Sequence, residues 1–210
     1  MIDRERLVVP AEHLGVLIEP AGEHLRQLPA AQPATDWDRA AILDRPLSEW
    51  RKQLRARLGL TGPAVVTGHQ PEFFHAGVFA KIVVAGELAR QVEGTAVFLT
   101  VDSDVPKFSR LPVPHITASE LRRVEVPVPG CELRRPYECQ PTVPREQWLD
   151  FFVRLASLYE HYDVSLLRPF ADAWLGGPAD DPLHYCDAMA RGRTALAEAL
   201  GLTDAREVRV

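Results

Sequence analysis

The apolar positions of this chain change period along its length, and the clearest change lies between Pro63 and Asp104. Ala64, Val65 and Val66 form a short, β-branched run bounded by Pro63 and Gly68, which reads as a strand buried on both faces. A turn holding Thr67, Gly68, His69, Gln70 and Pro71 follows. Phe74, Val78, Phe79, Ile82, Val83, Ala85, Leu88, Ala89 and Val92 then recur at helical spacing, which predicts a helix from about 74 to 91. A second apolar run, Ala96 to Val101, ends in Asp102, Ser103 and Asp104. Strand, helix and strand in this order predict one βαβ unit with parallel strands and a right-handed crossover. Ligands of such sheets bind beyond the carboxyl ends of the strands. Both polar stretches, Thr67 to Pro71 and Asp102 to Asp104, fall there.

The remaining chain divides around this unit. Leu7 to Pro10 reads as a short extended piece, and Leu14, Leu17, Ile18, Leu25 and Leu28 as a helix interrupted by Pro20 and Gly22. Residues 29–46 read as loop. Leu47 to Leu58 is an amphipathic helix with Leu47, Trp50, Leu54 and Leu58 on one face, and its basic residues are a solvated face rather than an anion site. Lys107 to Pro114 reads as a loop, and Leu121 to Val128 as a half-exposed edge strand marked by Pro127 and Pro129. Residues 130–144 are irregular. Trp148, Phe151, Phe152, Leu155 and Leu158 give a helix over 145–162 its inner stripe. A short helix over 166–175 and a helix from Asp181 to about Leu200 follow, and Glu207 to Val210 has strand character. The fold class is therefore α/β, a Rossmann-like parallel sheet with flanking helices, expected to be an incomplete, N-terminal portion of a larger fold. Residues 1–60 are the expected helical and loop segment packing on the core, and residues 61–210 the core, truncated at its C-terminus.

Composition narrows the function classes. The 210 residues are 46% hydrophobic, enough to bury a core. A net charge of -5 argues against a nucleic-acid partner held through its phosphates. Cys131, Cys139 and Cys186 form no paired spacing, so neither a disulfide framework nor a cysteine metal site is indicated. No signal-type segment or apolar window of membrane-spanning length is present, and the expectation is a cytoplasmic protein without a membrane partner.

The chemistry gathers in the central stretch. His75, Ala76 and Gly77 at the helix start resemble the first three positions of the His-x-Gly-His signature of nucleotidylyltransferases and class I aminoacyl-tRNA synthetases, with Val78 in place of the last His. Free N–H groups and the positive helix end attract an anion there. A wider pattern runs from Val65 to Lys81, through Val97 to Asp104, and on to Leu111 to Pro114. It resembles the N-terminal part of the bacillithiol biosynthesis cysteine-adding enzyme family, which shows Val-Val-Thr-Gly-Gln-Gln-x-Gly, a helix carrying a Lys, and a strand ending in Glu-Asp-His-Asp. Thr67, Gly68, Gln70, Lys81 and Asp104 match, whereas His69 stands for a Gln and Ser103 for the His.

The resemblance implies an ATP-using amide ligase, with Mg, that joins cysteine to a sugar-linked amine. The candidate catalytic residues are His69, His75, Asp102 and Asp104, and the candidate cofactor-binding residues are Thr67, Gly68, Gln70, Gly77 and Lys81. Read from the residues alone, alternatives stay open. His69 and Gln70 either face a ligand or satisfy a tight loop, His75 either holds phosphate or bonds a carbonyl, and Lys81 either reaches a phosphate or is solvated. Asp102 and Asp104 alternate along an extended segment, so only one of them faces the ligand. A non-catalytic nucleotide- or anion-binding module and a metal-dependent hydrolase are the competing functions, although no HxH, HxxxH or HExxH spacing is present and no metal site is assigned. A homo-oligomer is a further expectation, since an open sheet edge invites pairing.

Overall fold

A computed structural model of the chain describes residues 11–12, 23–24, 27, 36–73, 76–117, 120–159, 165–177, 181–202 and 205–210. The expected extended piece at Leu7 to Pro10 and nearly all of the interrupted helix over 14–28 lie outside the described residues. Contacts divide the chain into two units, residues 1–65 with 87–96 and residues 66–86 with 97–210.

In the first unit, a 3-10 turn at Trp37–Arg39 is capped by the Asp36 side chain, which accepts from the Asp38 amide at 3.2 Å. A small hairpin follows, β1 (Ala41–Ile42) against β2 (Arg45–Pro46), with Leu43 and Asp44 both at positive φ. The loop predicted for 29–46 is thus structured from Trp37 onward. Asp tolerates the left-handed turn conformation and Leu does not ordinarily seek it, so no Asn-Gly or Asp-Gly signal marked the hairpin. Helix α1 (Leu47–Arg57) occupies nearly the predicted span. Its apolar stripe is not buried, and Leu54 is 56% exposed. Trp50 is held instead by its indole N–H, which donates to the Ile42 carbonyl at 3.0 Å, and by the Arg45 guanidinium over its ring.

The βαβ pattern is present as predicted. Strand β3 (Ala64–His69) leads through helix α2 (Ala76–Gln91) to strand β4 (Thr95–Thr100), and the two strands belong to a three-stranded parallel sheet in the order β3-β4-β7, where β7 is Arg206–Arg209. The fold is α/β and Rossmann-like. Strand β4 is central and largely buried, with Phe98 at 1% exposure, as its unbroken apolar run requires. Strand β3 was expected to be buried on both faces and is not. It is an edge strand with Ala64 and Val66 exposed, and three residues of apolar run were too short to distinguish the two cases. The buried face of α2 is the stripe Val78, Ile82, Ala85 and Ala89, at spacings of four, three and four residues.

The second unit holds an aromatic core. Strands β5 (Arg110–Ile116) and β6 (Leu121–Pro127) form a separate antiparallel pair in which Val113 meets Val124. The segment read as a loop at Lys107 to Pro114 is therefore a strand from Arg110 onward. Its prolines, Pro112 and Pro114, take the exposed positions while Val113 points into the core. That arrangement suits Pro, which cannot donate to a ladder and is confined to edges. Helix α3 (Arg145–Leu158) buries Trp148, Phe151, Phe152 and Leu155 against β6-side valines, helix α4 (Leu167–Trp174) and helix α5 (Tyr185–Ala199). Gly192 of α5 faces the Phe170 ring so closely that an added Cβ would lie 2.8 Å from it. Helix α5 starts at Tyr185 rather than Asp181, because Leu183 first exchanges backbone hydrogen bonds with Val143.

Candidate functional site

The candidate site is built at the carboxyl ends of β3, β4 and β7, all within the second unit. His69 ends β3, and its carbonyl accepts from the Val101 amide at 3.1 Å, keeping the two chains in register past the end of β4. The chain then turns sharply, with the Glu72 amide donating to the Gln70 carbonyl at 2.9 Å. Gly68 allows the close approach this requires. A Cβ there would lie 2.6 Å from the Leu99 carbonyl oxygen, so its need for Gly comes from strand packing.

Beyond the strands, Gln70 and Asp104 meet. The Gln70 Nε2 donates to Asp104 Oδ2 at 2.8 Å, and the Val105 amide donates to Oδ1 at 2.8 Å. These hydrogen bonds, the Gln70 one foremost, hold the Asp104 carboxyl below the usual carboxylate range, with the Lys107 charge adding to the effect. Asp104 is exposed. Asp102 is turned the other way and is 5% exposed, with Arg209 Nε 3.9 Å from its Oδ2. The two carboxylates thus diverge as an extended segment demands. A 3-10 turn at Tyr137–Cys139 fixes the segment from the far side, since the Tyr137 and Glu138 amides donate to the Asp104 and Asp102 carbonyls at 2.9 Å each.

Glu72 is, like Asp102, a buried acid of the site, at 5% exposure. Its Oε2 accepts from the Tyr137 hydroxyl at 3.3 Å, and its Oε1 lies 3.3 Å from Lys107 Nζ and 3.7 Å from His69 Nδ1. The His69 ring also stands 3.2 Å from the Gln70 carbonyl through the same nitrogen. Burial, and then the adjacent Glu72, push the Tyr137 hydroxyl well above the ordinary tyrosine range, so at neutral pH it is a donor. Arg209, at the end of β7, pairs with both Asp187 and Asp102. Farther into the sheet, Glu207 receives the Thr100 hydroxyl and the Arg193 guanidinium.

Of the residues singled out in the sequence, His69, Gln70 and Asp104 come together at the strand ends, with Thr67 and Gly68 leading into the turn and Asp102 behind it. Gly77 and Lys81 lie on the first turns of α2 and are exposed. His75 lies outside the described residues. No protein-family model matches the chain, and no curated protein matches it. Among the described residues, no helix is long and apolar enough to cross a membrane, and no group of three or more His, Cys, Asp or Glu is placed to hold a metal ion. Burial raises the Cys131 thiol and pushes the Cys186 thiol up to about 12, which disfavours either as a nucleophile.

Sequence reasoning passed over Glu72, Lys107, Tyr137 and Arg209. Glu72 had a usable signal, being the one acid in the turn after a parallel strand, and so had Arg209, the last residue of another. Tyr137 had none, since only tertiary folding brings it to Glu72 across 65 residues of chain.

Proposed function

We propose that this chain supplies the nucleotide- and substrate-binding part of an amide ligase of the cysteine-adding kind, which joins cysteine to a sugar-linked amine using ATP with Mg. The observation that carries the reading is the Gln70–Asp104 hydrogen bond. Both residues match the family pattern, they stand 34 positions apart, and they meet at the sheet edge where parallel α/β folds place ligands. ATP is compatible with the residues present: Gly77 and Lys81 are exposed at the start of α2, and Lys107 adds a cation beside the turn. Bound ATP would supply the leaving group that makes a carboxylate reactive. The exposed, ionised Asp104 and the His69–Glu72 pair are the groups available to orient the amine and take its proton.

The test is direct. Purified protein is incubated with cysteine, glucosaminyl malate, ATP and Mg, and the amide is sought by mass spectrometry alongside nucleotide turnover. Product that disappears in Asp104→Ala supports the ligase; absence of both product and nucleotide binding by calorimetry rejects it. A second reading, the binding module, is favoured by one fact. Asp102 and Asp104 are each already engaged within the protein, by Arg209 and Gln70. Saturable ATP binding without turnover would select the module.

A further inference from the structure

Strands β5 and β6, both in the second unit, pair with each other and with no other strand among the described residues, so each has an outer edge. The register fixes which backbone groups each edge presents. The Val128 amide donates to the Ser109 carbonyl at 2.9 Å, one step past the Arg110–Pro127 pair. Hydrogen-bonded pairs alternate along an antiparallel ladder. The amides of Arg122, Val124 and Val126 therefore face β5, and those of Leu121, Arg123 and Glu125 face outward. On β5 the same alternation turns Pro112 and Pro114 outward, which leaves that edge without donors at its two middle positions. One edge of the pair is closed to a further strand and the other is open.

We propose that the open edge of β6 pairs with the same edge of a second copy of this chain, antiparallel about a two-fold axis at Val124. Charge complementarity carries the proposal. Arg123 and Glu125 share the exposed face of β6, with Arg123 Nε 2.6 Å from Glu125 Oε1. A two-fold axis at Val124 sets Arg123 opposite Glu125 of the second copy and Glu125 opposite its Arg123, so both contacts join opposite charges. Each such pair also exchanges two backbone hydrogen bonds, because both amides face outward. The same operation sets Leu121, 70% exposed, against the exposed Pro127. Moving the axis to Arg123 or to Glu125 puts like charges opposite each other, so the register is unique. Charges on an edge strand ordinarily discourage pairing, and here their order restricts it to one partner and one register. A two-stranded ribbon becomes a four-stranded antiparallel sheet, the more stable unit. An open groove of about 320 Å³, lined in part by Val126, Pro127, Asp150 and Arg154, leaves room beside the strand. The inference goes beyond the ligase reading and requires neither nucleotide nor turnover.

Sedimentation equilibrium of the whole chain should show a reversible equilibrium between monomer and dimer. Arg123→Glu and Glu125→Arg should each weaken the dimer by about tenfold or more, because the two-fold axis repeats every change twice. Mixing the two variants should restore it. One then carries two negative side chains on its edge and the other two positive, a match that no repair within either chain can supply. In the unaltered protein, hydrogen exchange at the Arg123 and Glu125 amides, followed by NMR, should slow as the protein concentration rises. A monomer at every concentration, a dimer unmoved by either substitution, or a mixture that associates no better than its components would each overturn the proposal. If a variant does not fold, the exchange measurement decides alone, and amides whose exchange ignores concentration would overturn it. Failure of amide formation leaves these measurements untouched, and their failure leaves the ligase assay untouched.

Discussion

Phe73 lies stacked on Trp174, with ring centroids 5.4 Å apart and planes inclined by 18°. The residue that ends the turn after β3 is thereby tied to the last residue of α4, itself fully buried. Phe73 also meets Phe151 at 5.6 Å and Tyr185 edge-on at 6.4 Å, so the turn that carries His69, Gln70 and Glu72 is anchored in the aromatic core.

Phe73→Ala should therefore destabilise the protein by about 3 kcal/mol, near the lower end for a buried Phe because the ring is only partly buried. Urea unfolding followed by tryptophan fluorescence measures this. A loss below about 1 kcal/mol would mean the turn is held by something else.

Gly68→Ala should cost about 1–3 kcal/mol, the usual range for overpacking. The added methyl meets the Leu99 carbonyl oxygen at 2.6 Å, and backbone yields less readily than a side chain. Thermal unfolding of the variant against the unaltered protein is the measurement, and an unchanged midpoint would contradict the strand packing.

Asp104 links the site to acid stability. Its folded value lies below the ordinary 3.8, chiefly through the Gln70 hydrogen bond. Its contribution is thus complete above that ordinary value and is lost as the pH falls through the lower folded one. Gln70→Ala should raise the Asp104 midpoint toward 3.8, observed by carboxyl-carbon NMR. A midpoint that stays put would separate the two residues.

Tyr137 and Tyr185 act at the alkaline end. Burial first, and then neighbouring ionisable groups, raise both hydroxyls well above the ordinary 10.0. The unfolded chain loses these protons near that value and the folded chain does not, so their contribution is present below it and lost as the pH rises further. Ultraviolet titration should show the Tyr137 and Tyr185 hydroxyls ionising only when the protein unfolds. Their ionisation near pH 10 in the folded protein would show that both rings are open to solvent.

The parallel βαβ unit could be read because β4 and α2 each carry enough apolar positions to define a period. Helix α3 was equally clear from its Trp and Phe stripe. The hairpin at Ala41 to Pro46 was hidden by its Leu-Asp turn, and β5 by prolines that look like loop residues until their outward alternation is seen. At the site, Thr67 to Gln70 and Asp102 to Asp104 announced themselves through the strand-end rule. Glu72 and Arg209 fell under the same rule and were passed over, whereas Tyr137 carried no signal, because its partner Glu72 is distant in sequence and a local pattern holds no record of it.

The pairing of β4 with β7 also sets an order in time. Thr100 reaches Glu207 across 107 positions, whereas β5 and β6 are joined by a few residues and α4 and α5 are near neighbours. Closing a long loop costs more entropy, by about 0.6 kcal/mol for each doubling of length, and it must be met before the contacts it allows can repay it. The hairpin and the aromatic helices should therefore assemble early, with the third strand docking late. Arg209 arrives beside Asp102 only with that last step, so the site matures at the end of folding rather than at its nucleus.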